Sequence, residues 1–78
     1  MPFLHLHTVQ GLLSPSQKTE LMERFTQALI DTEGGGDPAF RQFVTLCITE
    51  QPAEHWQLGS LRPTAAQIQA LLAKREGA

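Results

Sequence analysis

The chain has 78 residues, a formal net charge of −2, six scattered Lys and Arg and a single cysteine, which excludes an internal disulfide and any basic cluster for nucleic acid. No apolar run reaches the roughly 18 residues of a membrane span, and the N-terminus lacks the basic start and long apolar core of a signal peptide, so a cytoplasmic protein without a membrane partner is expected. One domain over residues 1–78 is expected, and because a chain this short buries only about 60% of its unfolded surface, self-association is the expected source of further stability.

Residues 2–9 alternate in a period of two and predict a first strand. Pro2, Leu4, Leu6 and Thr8 fall on one face, and Phe3, His5, His7 and Val9 on the other. Proline is acceptable as the first residue of a strand, because it gives up no needed ladder donor there. Pro2 directly follows Met1. Trimming of methionine before a small residue would leave a free prolyl nitrogen, a cyclic secondary amine able to act as a base or a nucleophile. A retained Met1 would make it an amide.

After the connection Gly11-Leu12-Leu13, Ser14-Pro15-Ser16-Gln17 is a helix start, with Ser14 as N-cap, Pro15 in the first turn and Gln17 completing a capping box. The helix is expected over residues 15–33, burying Leu21, Phe25, Ala28 and Leu29 with Met22 and Ile30 widening the stripe, and Gly34-Gly35-Gly36 should end it. Residues 37–42 read as a loop or a single turn. The second strand is expected over residues 43–50, and its run Val44-Thr45-Leu46-Cys47-Ile48 is apolar enough to predict cover on both faces. Residues 53–59, with His55 and Trp56, read as a turn or short helix. Thr64-Ala65-Ala66-Gln67 repeats the capping-box pattern ahead of a terminal helix over residues 64–75, which buries Ile68, Leu71 and Leu72 and frays at Arg75-Glu76-Gly77. The order predicts an α/β (α+β) fold: one β-α-β unit with parallel strands and a right-handed crossover, plus a C-terminal helix. Two strands and one helix cannot bury both sheet faces, so a second copy must complete the sheet.

Four segments resemble the 4-oxalocrotonate tautomerase family: Pro2 with its strand leading to Gly11, Ser14-Pro15-Ser16-Gln17-Lys18, Ile48-Thr49-Glu50, and His55-Trp56-Gln57-Leu58-Gly59. The terminal helix and Trp56 are similar to a dimeric bacterial branch of that family. The resemblance therefore implies a homodimer, with a hexamer as the alternative, acting on a small keto or enol substrate without a cofactor. It also implies an isomerase in which Pro2 is the general base for proton transfer between carbon and oxygen. An α-amino group titrates near 8 in the open, and an apolar pocket would lower that value toward neutrality, where such a base works best.

The diacid-processing members carry arginine where this chain has Leu12 and again where it has Thr45. With both carboxylate clamps missing, a dicarboxylate such as 2-hydroxymuconate fits poorly, and a less charged, phenylpyruvate-like acid fits better. Phe3, Leu12, Phe40 and Trp56 are candidate pocket walls, and Trp56 could stack on a conjugated substrate or simply pack. Arg41 could hold one carboxylate or remain a solvated loop charge, and Arg62 is a second, weaker nominee. His5, His7 and His55 could in principle bind zinc, but they read as interface or core histidines, so no metal is expected. Cys47 reads as a small buried hydrophobe. The triple glycine lacks the lysine and strand context of a phosphate loop. Two alternatives stand beside the tautomerase: a non-catalytic oligomeric binding module of the same fold, and a hydratase, dehalogenase or decarboxylase with Pro2 as general acid and Glu50 or Asp37 assisting.

Overall fold

A computed structural model describes residues 1–76. The elements run β1 (Phe3–Val9), α1 (Pro15–Thr32), a 3-10 helix (Pro38–Phe43), β2 (Thr45–Gln51), a 3-10 turn (Ala53–His55) and α2 (Ala65–Glu76). The two strands are parallel, in a register that sets Phe3 beside Thr45 and Val9 beside Gln51. Both helix starts form reciprocal capping boxes: Gln17 N–H donates to the Ser14 hydroxyl while Ser14 N–H donates to Gln17 Oε1, and Gln67 and Thr64 repeat the exchange. Each box satisfies two backbone donors that a helix start otherwise leaves open.

The glycine triplet ends α1, and its members do different jobs. Gly35 and Gly36 adopt positive φ of 62° and 85°, which side chains resist. Gly34 does not. It is needed for space: a Cβ there would lie 2.5 Å from the Phe40 ring and 2.8 Å from the Ile30 carbonyl oxygen. Residues 38–43 are a 3-10 helix rather than a loop, begun by the Asp37 carboxylate accepting from Ala39 N–H at 3.0 Å. Phe43 belongs to that helix, so β2 starts two residues later than residue 43. The last helix continues through Glu76, and fraying at Gly77 lies outside the described residues.

α1 covers the even-numbered sheet face. Lys18 is ion-paired with Glu50 of β2, and Thr19, Met22 and Thr26 share a cleft with Val44 and Leu46. The stripe that packs is therefore Met22, Thr26 and Ile30, with Thr26 and Ile30 buried. Of the expected stripe, Ile30 is buried, Leu21, Met22, Phe25 and Leu29 are half-buried and Ala28 is exposed, so the packed side is the Met22–Ile30 edge of that stripe. A helix with apolar residues on both edges can show one to its own sheet and keep the other for a second surface.

The odd-numbered face is largely bare. Phe3 is 67% exposed, His5, His7 and Cys47 are exposed, and only its far end is overlain, where Val9, Trp56 and buried Ile68 of α2 line one small cavity. Cys47 is thus not buried within the chain; any cover must come from outside it. The β1 edge is open as well. Pro2 oxygen accepts from Thr45 N–H, and Gln10 N–H donates to Gln51 oxygen. The alternation between those two bonds turns the backbone of Phe3, His5, His7 and Val9 toward the free edge.

Among the described residues the buried apolar set is Ile30, Ala53 and Ile68. The accessible surface is 5666 Å² for 8.6 kDa, against about 4,700 Å² for a compact monomer of that mass. The radius of gyration is 15.7 Å, where a compact chain of this length gives about 11.5 Å. The protein is a thin slab, 17 Å in its short dimension, with roughly 1,000 Å² more surface than a closed domain shows.

Candidate active site

Pro2 sits at the head of β1, half-buried, with its carbonyl fixed by Thr45 N–H at 3.1 Å. That bond anchors the Pro2 carbonyl at the start of β2. Arg41 lies near the same end of the sheet, on the 3-10 helix, but its Nη2 donates to Glu23 Oε1 at 2.5 Å on the helix side. Phe40 packs against Gly34, and its ring lies 5.8 Å from that of Phe43. Each of these two side chains therefore has a structural partner within its own chain.

Leu12 and Trp56 lie at the other end of the sheet. Six strand residues separate the ends, about 20 Å at ~3.3 Å per residue. Trp56 is half-buried, its Nε1 donates to Gln51 oxygen at 3.3 Å, and its ring shares a cavity of about 280 Å³ with His7, Val9 and Ile68. Leu12 lines a larger cleft, about 580 Å³, between the Gly11–Ser14 loop, Gln17 of α1 and the face of α2 bearing Leu72 and Arg75. One chain thus carries Pro2, Phe3 and Phe40 at one end of its sheet and the other two predicted walls, Leu12 and Trp56, at the other.

The remaining nominees are occupied or dispersed. Glu50 is ion-paired with Lys18 and is only 20% exposed, and the Asp37 carboxylate caps Ala39. His5 Nε2 lies 2.6 Å from the Thr49 hydroxyl, its ring centroid is 3.9 Å from that of His7, and His55 Nδ1 meets Gln51 Oε1 at 3.4 Å. Among the described residues no group of three or more His, Cys, Asp or Glu is placed to hold a metal ion, and no helix is long and apolar enough to cross a membrane. Arg62 is exposed on the segment before α2. Sequence reasoning named Lys18 at the helix start but missed its ion pair with Glu50, which ties α1 to the end of β2, and it did not place Arg75, a basic residue in the last turn of α2, beside Leu12.

The sequence profile of the Tautomerase enzyme family matches residues 2–66. No curated protein matches the chain. Among solved structures, TomN, a 4-oxalocrotonate tautomerase homologue in the tomaymycin biosynthetic pathway, is 25% identical with a TM-score of 0.66, covering 99% of this chain and 97% of its own. A proposed 4-oxalocrotonate tautomerase from methicillin-resistant Staphylococcus aureus is 26% identical with a TM-score of 0.66, covering 78% of this chain and 90% of its own. YwhB, a homologue of 4-oxalocrotonate tautomerase, superposes with a TM-score of 0.67 at 24% identity over 78% of this chain and 92% of its own, a likeness of fold.

Proposed function

The chain belongs to the tautomerase family, and from that premise we propose that it is a cytoplasmic isomerase that interconverts the keto and enol forms of a small 2-keto acid. Its general base is the amine of Pro2, exposed by removal of Met1. The nitrogen takes the proton of the enol O–H and returns a proton to the neighbouring carbon; the C=C π electrons form the new C–H bond and the oxygen becomes a carbonyl. The observation that carries this reading is the fixing of Pro2 at the strand head through its carbonyl, which leaves its nitrogen at an open end of the sheet.

A second copy completes the site. Pairing of two β1 edges in antiparallel sense would set Pro2 of one protomer beside the Leu12 end of the other. It would also use the outward backbone groups of Phe3, His5, His7 and Val9, and cover part of the surplus surface. A homodimer is the simplest assembly that does this, and a hexamer is the larger alternative. Candidate walls are then Leu12 and Trp56 from the partner's end, with Phe40 and Arg41 at the proline end.

Use of Pro2 as a general acid for hydration, dehalogenation or decarboxylation is less well supported, because Glu50 and Asp37 already have partners. A non-catalytic binding module is favoured by one observation: Leu12 and Thr45 carry no charge and Arg41 is engaged by Glu23. Intact mass would first establish loss of Met1. Phenylpyruvate tautomerisation should then fall about a hundredfold or more in Pro2→Ala, the lower end of what a general base contributes. Equal rates in the two proteins would reject the catalytic reading and leave the binding module.

A further inference from the structure

The cleft bordered by the Gly11–Ser14 loop and α2 is about 580 Å³, within the ~300–1,000 Å³ of small-molecule sites. Leu12, Leu13 and Leu72 supply apolar wall; Ser14, Gln17 and Gln69 supply polar groups. Gln17 Oε1 is committed to Ser14 N–H, so its amide NH₂ is the part left to donate. Arg75 is the one ionisable side chain among the described residues that line the cleft. The walls thus combine one positive charge, neutral donors and an apolar floor. One guanidinium suits one carboxylate in two-point contact. With no second cationic side chain among the described lining residues, the second charge of a dianion would meet only neutral donors. Arg75 also engages another group of the chain, and a guanidinium's five N–H donors can serve two acceptors at once.

We propose that this cleft binds a small monocarboxylate with an apolar body, and that Arg75 recognises the carboxylate. The inference rests on the tautomerase reading only for its link to turnover; the binding itself stands on the cleft. Within that reading, Arg75 is the specificity residue that selects an acid where the loop itself offers leucine.

The test separates the two claims. Binding of unreactive 3-phenylpropanoate is measured by calorimetry and amide NMR shifts on the Pro2→Ala protein, which needs no turnover. The expected result is that the shifts centre on Leu12, Leu13 and Leu72, and that Arg75→Gln weakens binding about tenfold to a hundredfold, the effect of losing a hydrogen-bonded charge. Arg75→Lys should restore part of the affinity. The neutral 3-phenylpropanamide should bind parent and Arg75→Gln alike. Ala73→Phe, which fills the cleft from α2, should abolish binding of both probes and guards against a fold defect in the arginine variant. In the processed enzyme, Arg75→Gln should raise KM for phenylpyruvate by a similar factor and leave kcat nearly unchanged. Equal affinity of parent and Arg75→Gln for the carboxylate, or shifts centred away from the cleft, would overturn the proposal. Probe binding with no turnover by the processed protein would support the cleft and reject the isomerase reading.

Discussion

Replacing His7 with proline tests the assembly at its weakest-defined edge. The ladder alternation places the His7 N–H on the side of β1 away from β2, so His7→Pro removes no bond within the chain. Proline is tolerated on an edge strand for that reason. In an antiparallel β1–β1 pair the same change removes one outward donor from each protomer and puts a ring against the opposing backbone. At about 0.5–1.5 kcal/mol per hydrogen bond, the two lost donors amount to about 1–3 kcal/mol, or roughly a fivefold to 150-fold rise in the dissociation constant. The interface at stake is substantial: a surplus of about 1,000 Å² per chain corresponds to about 2,000 Å² per pair, the size of a stable contact. Sedimentation velocity across a concentration series should show the wild type as a dimer and His7→Pro shifted toward monomer, with far-ultraviolet circular dichroism unchanged and turnover falling with the dimer fraction. An unchanged dissociation constant would refute pairing at the β1 edge. A stable wild-type monomer at micromolar concentration would refute the wider claim that a second copy completes the sheet.

Two further perturbations probe the scaffold around the site. Gly34→Ala forces its new methyl into the Phe40 ring and the Ile30 carbonyl, and should lower stability by about 1–3 kcal/mol in chemical denaturation; a loss below ~0.5 kcal/mol would mean that Phe40 swings away freely. Lys18→Met strips Glu50 of its cation at a position where the two side chains are 32% and 20% exposed. Partial exposure tempers the cost to about 1–2 kcal/mol, and raised salt should narrow the gap between mutant and parent.

Local signals were legible in the sequence. Ser14 and Thr64 announced both helix starts, the glycines after Glu33 announced a stop, and the length of the crossover dictated parallel strands. Which edge of the wide α1 stripe packs was not legible, because Leu21, Phe25 and Leu29 are as apolar as Met22 and Ile30, and only tertiary packing chooses the edge that meets the chain's own sheet and buries Thr26. Gly34 was read as punctuation, whereas its reason is the ring of Phe40, six residues on and invisible to a propensity argument. Pro2 was legible as a candidate because it directly follows Met1 at the head of a strand. The juxtaposition of Arg75 and Leu12 was not, since it arises only when α2 folds back beside the Gly11–Ser14 loop.

A core that among the described residues holds only Ile30, Ala53 and Ile68 as buried apolar side chains has a thermodynamic corollary. If cover from a second copy supplies what this core lacks, folding and association are one reaction, and the thermal midpoint rises with protein concentration instead of being a constant of the sequence. In a cell, the fraction folded would then track expression level, and substitutions on the open sheet face would register first as lower abundance, before any change in rate per active site.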